Sequence, residues 1–565
     1  MKKRISLHLL SFFVIVGVLT SCKSGLSPLT SSYIKAEPQP LELIAGKVPV
    51  TINATFPANW FNKKASLTVI PVLRYEGGEA WGTAYNYQGE KVAGNGQVIP
   101  QKKGANVVLK TSFDYTPEMQ CSQLYLTFKT KVGNKTVELP DVKIGDGVLA
   151  TAALLSIESE TPAIAPDKFQ RIIKEAHNAN IMFVIQQAEL RSSELKKNEV
   201  IDWKDIVAGA NEAANKNVDI EISSYASPDG GYELNEKLAE KREANTEKYL
   251  AKELKKAKVD APINARYTAQ DWEGFKELVE KSNIQDKDLI LRVLSMYSDS
   301  EQREREIKNI SAVYSSLTDQ ILPQLRRSRL TANIEIIGKS DEEISYLSAN
   351  NPKELNIEEL LYSATLVNTS NEKERIYKKV VELYPRDARA YNNLGVTEYV
   401  KGNLTTAEAY FNRATEVAKL PETNLNLGYI ALSKGDTDKA QELFGSAAGV
   451  PELDNAMAYL SVVNGNYAQA ANTFSGSISN NAAVAQLMSK DYNKAGSTLN
   501  AIATPDATTY YLKAILGART NNLKDVTTNL KQSISLNPNM ASKALNDVEF
   551  VKYITNKDFL NAVLR

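Results

Sequence analysis

Between residues 30 and 150 apolar side chains recur at every second position: Val48, Val50, Ile52, Ala54 and Phe56, then Leu67 and Val69, then Leu124, Leu126 and Phe128. A period of two puts each set on one face of a strand. Val132-Gly133-Asn134-Lys135 supplies a hairpin turn between Leu126-Thr127-Phe128 and Val137-Glu138-Leu139, because Gly and Asn tolerate positive φ. An all-β sandwich of about seven strands is expected over 30–150. Residues 151–168, which contain Pro162 and Pro166, read as a linker. From 169 to 338 the patterns mix. The apolar run at 181–185 and the alternating Val218-Asp219-Ile220-Glu221-Ile222 read as strands, and a charged helix over 233–256 carries Leu234 and Leu238, then Leu250 and Leu254, four apart. A helical insertion follows over 271–325, and a last strand over 332–337, so this part is an α/β domain. A second linker is expected over 339–354, and helical pairs from 355 to 565.

In that last region the period can be counted. Gly395, Gly402, Ala407, Phe411 and Ala414 return as Gly428, Gly435, Ala440, Phe444 and Ala447, every step being 33 residues. Later copies are shorter and degenerate: Gly465, Tyr467, Ala470 and Phe474, then Tyr492 and Ala495, then Leu523, Val526, Leu530 and Pro538. A partial copy with Tyr377, Val380 and Pro385 lies one period upstream. The pattern resembles the tetratricopeptide repeat family, whose unit of about 34 residues is a helical pair with small residues at the crossing. One pair cannot bury its own apolar side, so neighbours stack into an α-solenoid with a concave groove. Carried over from the family, the groove-facing positions are Asn392, Val396 and Tyr399, then Leu425, Tyr429 and Leu432, then Asn455, Tyr459 and Val462. The resemblance implies a protein partner, held as an extended peptide or a helix by this amide and aromatic surface. Packing between neighbouring helices is the competing role for Tyr429 and Tyr459.

Tyr225-Ala226-Ser227-Pro228-Asp229-Gly230, followed by Asn235, Leu238, Glu240 and Arg242, resembles the OmpA-like domains of envelope proteins. Gln187-Ala188-Glu189-Leu190-Arg191 and then Glu194-Leu195 look like that family's first strand and the turn into its first helix. The resemblance implies peptidoglycan as a further partner, with an aspartate taking the amine of diaminopimelate and an arginine its carboxylate. Arg242 matches the arginine. The aspartate position holds Ser227, with Asp229 two residues on. The competing role for Arg242 is a solvated cation beside Lys237 and Lys241. The arginines at 326, 327 and 329 have two readings, a contact for anionic wall or lipid groups and a solvated strand edge, of which the edge is the one expected.

At the amino end Lys2, Lys3 and Arg4 precede an apolar run from Ile5 to Leu19, and Leu19-Thr20-Ser21-Cys22 ends it. The run is short of the roughly 20 residues of a spanning helix, and the layout is that of a secretory signal. It is similar to bacterial lipoprotein signals, which implies removal of residues 1–21, acylation of Cys22, a tether over 22–29, and a lipid anchor with palmitate on the mature amino terminus. Lys23 stands where an inner-membrane retention signal has Asp, so the resemblance implies the outer membrane, periplasmic face.

With 67 basic and 67 acidic residues in 565, nothing marks a nucleic-acid binder. Two cysteines leave no disulfide framework, and with His8 in the signal segment only His177 remains in the mature chain, which excludes a His-rich metal site and any mechanism that needs a histidine pair. Cys121 is expected to be buried. Gly338-Lys339-Ser340 echoes a phosphate-binding loop, but the earlier glycine is replaced by Asn333 and no helix of the right kind is expected after it. The expectation is a multidomain, non-enzymatic chain without cofactor or metal: an N-terminal all-β sandwich, a central α/β OmpA-like domain and a C-terminal tetratricopeptide solenoid. Its role would be a protein-interaction scaffold and peptidoglycan tether of the outer membrane. The alternatives are a subunit of an outer-membrane assembly or secretion machine without wall binding, and a wall or glycan hydrolase built on separated carboxylates.

Overall fold

The computed structural model describes residues 26–284 and 286–564. The signal segment and Cys22 lie outside them. Among the described residues no helix is long and apolar enough to cross a membrane. The chain divides into two compact units. One joins the chain up to Pro166 with everything from Thr369 on, and the other is Asp167–Asn368.

In the first unit the N-terminal region is β-rich, with twelve strands rather than about seven. Ile34–Glu37, Lys47–Phe56 and Ala105–Asp114 form an antiparallel three-stranded sheet. Ala65–Tyr75 and Gln123–Val132 pair at the centre of a seven-stranded one. Val48, Val50, Ile52, Ala54 and Phe56 all point into the core, against Leu67, Val69, Leu124 and Leu126. The period-two faces are therefore as expected. The extra strands are pieces of two to five residues, too short to show an alternation. The hairpin at Gly133 forms, with Lys135 opposite Val132 and Gly133 at φ +61. Cys121 is exposed, not buried; its Sγ donates to the Asn546 carbonyl.

The rest of this unit is the solenoid. A leading helix, Ser370–Leu383, is followed by five helical pairs: Ala388–Val400 with Leu404–Val417, Pro421–Ser433 with Thr437–Gly445, Leu453–Val463 with Tyr467–Thr473, Asn480–Met488 with Tyr492–Ala501, and Ala507–Arg519 with Leu523–Leu536. The conserved spacing has a steric cause. A Cβ on Gly395 would stand 2.4 Å from Phe411, and one on Gly428 2.3 Å from Phe444. Each first helix ends on a left-handed residue: Gly402, Gly435, Gly465, Lys490 and Asn521. The fourth and fifth copies keep the turn without its glycine, which hides it in the sequence, whereas the third copy keeps Gly465.

In the second unit a four-stranded sheet has the order Ile172–Met182, Arg327–Ile337, Lys216–Tyr225, Ile263–Thr268, antiparallel except for the last pair. Helices Asn198–Glu212 and Tyr232–Lys256 pack on it. The first strand is Ile172–Met182, and 187–191 is irregular; the amino half of this edge strand is exposed on both faces, so it carries no apolar alternation. The strand opened by the arginines is interior, not an edge. The stretch 339–354 is no linker. Ser340 caps a helix, Asp341–Asn350, and Lys339 pairs with Glu359 at 3.0 Å. Residues 357–363 also belong to this unit, with Tyr362 stacked on Phe169 at 4.4 Å. The solenoid thus starts near 370, not at 355.

Candidate functional site: a peptide clamp in the solenoid

The stretch read as a linker, 151–168, is not a free connector. Its residues up to Pro166 lie along the solenoid, running from the last copy towards the first. Thr151 Oγ1 donates to Glu549, which is paired with Arg519 of the fifth copy. Asn481 of the fourth copy accepts from the Ser156 N–H at 2.9 Å and donates to its carbonyl at 2.7 Å. Asn426 of the second copy treats Ala163 in the same way, at 2.8 Å in both directions. Asn393 of the first copy accepts from the Ala165 N–H at 2.9 Å and donates to its carbonyl at 3.0 Å. A primary amide carries an acceptor and a donor side by side, so each asparagine satisfies both backbone groups of one extended residue. That satisfaction permits an irregular segment to be buried at all.

Asn393, Asn426 and Asn481 occupy one repeat position, nine residues before the left-handed end of their helix. Ala456 and Leu512 hold it in the third and fifth copies. It is the neighbour of the position expected to face the groove. The signal was present as Asn-Leu-Gly at 393–395 and 426–428, one period apart.

Of the expected groove residues, Asn392 is fully buried and donates to the Ala163 carbonyl at 3.0 Å; its Oδ1 accepts from Asn426 and Thr423. Tyr399 donates to the Ile157 carbonyl at 2.6 Å. Val396, Leu425 and Tyr429 share an apolar cluster with Ala163, while Tyr459, Val462 and Leu432 pack with Leu154 and Ile157. Asn455 is half-buried. The groove was expected to be open to a partner; eight of its nine residues are instead covered by or packed beside the chain's own segment.

Glu160 is the one carboxyl of the segment carried inside, 6 % exposed. Asn481 Nδ2 donates to it at 2.7 Å. The Tyr429 hydroxyl, which makes no hydrogen bond of ordinary geometry, lies beside it. Burial, only partly offset by Asn481 and Tyr429, pushes the carboxyl from 4.5 up to about 7. Burial and the same carboxylate raise the hydroxyls of Tyr399, Tyr429 and Tyr459.

The second candidate site, in the central unit, is consumed internally. Arg242 is fully buried and donates to the carbonyls of Gln187 at 3.0 Å, Tyr225 at 2.8 Å and Val184 at 3.2 Å, with its guanidinium over the Phe183 ring. Burial, then Arg326, lowers its pKa to about 10. It is neither solvated nor free for a ligand. Ser227 donates to Asp229, and Arg326 holds Asp229 at 3.0 Å. Trp272, Phe275 and Leu322 of the helical insertion line the space beside Pro228 and Asp229. Helix Tyr232–Lys256 therefore turns a polar seam inward first, Asn235, Arg242 and Thr246, and only then Leu250 and Leu254; Leu234 is exposed. Arg327, expected on a solvated edge, is buried against Asp271 at 2.9 Å.

The tetratricopeptide repeat family matches residues 374–421, the leading helix and the first helical pair. The solenoid is thus a tetratricopeptide-type helical array, carried at the C-terminal side of a multidomain chain with a β-rich N-terminal region. No curated protein matches the chain. Among solved structures it is similar to the Cut9-Hcn1 tetramer of the APC/C, with 18 % identity over 40 % of this chain and 45 % of that one and a TM-score of 0.32. The chain thus spans less than half of that protein's length. It is also similar to a tetratricopeptide repeat protein from Parabacteroides merdae, with 15 % identity, 40 % and 91 % coverage and a TM-score of 0.28. A third likeness is to pilF of Pseudomonas aeruginosa, with 15 % identity, 39 % and 100 % coverage and a TM-score of 0.28.

Proposed function

We propose that this chain is a non-catalytic, lipid-anchored scaffold of the bacterial outer membrane, facing the periplasm, whose solenoid holds polypeptide by its backbone. The observation that carries this reading is the asparagine ladder, in which three repeat copies each grip both polar groups of one extended residue. The anchor rests on the lipoprotein-like signal ending at Cys22. Leu26 and Leu29 are already in the β-region's core, and Trp60 Nε1 donates to the Ser27 carbonyl at 2.9 Å. Four residues of extended chain reach about 14 Å, so acyl chains on Cys22 would hold the β-region against the bilayer surface.

The OmpA-like resemblance adds peptidoglycan as a partner only if Arg242 and Asp229 release their present ones. Three carbonyls and Arg326 hold them, which favours the scaffold without wall contact.

Two experiments test the proposal. Radiolabelled palmitate should enter the full chain and be lost in Cys22→Ala, with the chain leaving the outer-membrane fraction. Site-specific photocrosslinkers on the solenoid should join the chain to a defined protein in intact cells. Unlabelled chain in the soluble fraction would remove the anchor, and crosslinks confined to the chain itself would remove the scaffold.

A further inference from the structure

At Ser156, Ala163 and Ala165 the segment inside the solenoid is held through its backbone rather than through its side chains. Asn393 and Asn426 read only backbone at Ala165 and Ala163. The two alanines are 2 % and 1 % exposed, while Ile164 between them points outward at 44 %. What the groove requires is an extended chain with small side chains at alternate positions. A surface built this way accepts any chain that presents the same pattern, and here the occupant is supplied by the same molecule.

The cis occupant also carries a fault. Glu160 is buried beside Asn481, Tyr429, Tyr399 and Tyr459, with Glu158 and Glu452 the further charged groups acting on those tyrosines. None of the groups acting on the carboxyl is a cation. An ionised carboxylate in such a place weakens the docking of the segment that carries it.

We propose that the groove is a receptor for an extended peptide of a partner protein, with small residues at alternate positions, and that residues 151–166 occupy it in cis as an intramolecular ligand which that peptide replaces. The proposal rests on the scaffold reading and adds to it the mode of recognition and a masked resting state. Covalent linkage gives the cis segment a high effective concentration, so an incoming peptide competes only when it binds more tightly or when the cis segment is weakened.

The probe is a fluorescein-labelled synthetic peptide with the sequence of residues 151–168. Its binding by anisotropy is compared for the unchanged full chain, for Ala163→Pro with Ala165→Pro, which removes the two N–H groups the asparagines accept, and for that variant with Asn393→Ala and Asn426→Ala added. The proline variant should bind at least tenfold more tightly than the unchanged chain, and the asparagine changes should abolish the gain. Equal binding by all three proteins would overturn the proposal. Should the proline variant not fold, hydrogen exchange of the unchanged chain decides. Excess probe should strip protection from residues 156–165, and protection that stays constant at saturating probe overturns the masked groove. Neither negative result touches the lipid anchor or the crosslinked partner, which stand or fall on their own tests.

Discussion

Replacing Glu160 with glutamine should stabilise the docked segment at about pH 8 and change it little at about pH 5. The carboxyl is held at about 7 against an ordinary 4.5. The docked state therefore binds the proton more tightly than the undocked chain does, and stability falls as pH rises from about 4.5, levelling off above about 7. At about 1.36 kcal/mol per tenfold change in proton affinity, the full cost is about 3 kcal/mol. Most of it, about 2 to 3 kcal/mol, accrues between about pH 5 and pH 8. Glutamine keeps an oxygen for the Asn481 donor and cannot ionise. The assay is the opening free energy from hydrogen exchange at the amides of Ser156, Ala163 and Ala165, corrected for the intrinsic pH dependence of exchange. The same fall with pH in Glu160→Gln as in the unchanged chain would refute the reasoning, because the loss would then belong to another group.

Asn426→Ala should cost about 1–3 kcal/mol, read as lost protection at Ala163, because that buried N–H loses its acceptor while Asn392 still serves the carbonyl. Gly428→Ala should destabilise the solenoid by about 1–3 kcal/mol in thermal melts, since the new Cβ meets Phe444 at 2.3 Å. Asp271→Ala should cost the central unit about 3–5 kcal/mol in urea unfolding by leaving Arg327 buried without its counter-charge. Arg242→Ala should lower the melting temperature of the central unit and leave sedimentation with peptidoglycan unchanged. Co-sedimentation that is present in the unchanged chain and lost in a folded Arg242→Ala would restore the wall-tether reading.

Local pattern was legible wherever one face of an element meets one core. The alternation from Val48 to Phe56 and the 33-residue step from Gly395 to Gly428 each express a repeated steric demand, so sequence alone determined the β-rich region, the helical array and the spacing of its crossings. The polar interior escaped it. Arg242, Asp271, Arg327 and Glu160 have the composition of surface residues, and only the fold brings carbonyls, counter-charges or amides to them. The clamp shows the same limit most plainly. Residues 151–166 lack any periodicity of their own, because their backbone is satisfied by asparagines more than 200 residues away, at Asn393, Asn426 and Asn481. A connector and a bound ligand look alike in sequence when the hydrogen bonds that distinguish them come from the other side of the groove, and only the tertiary structure decided that this segment is the second.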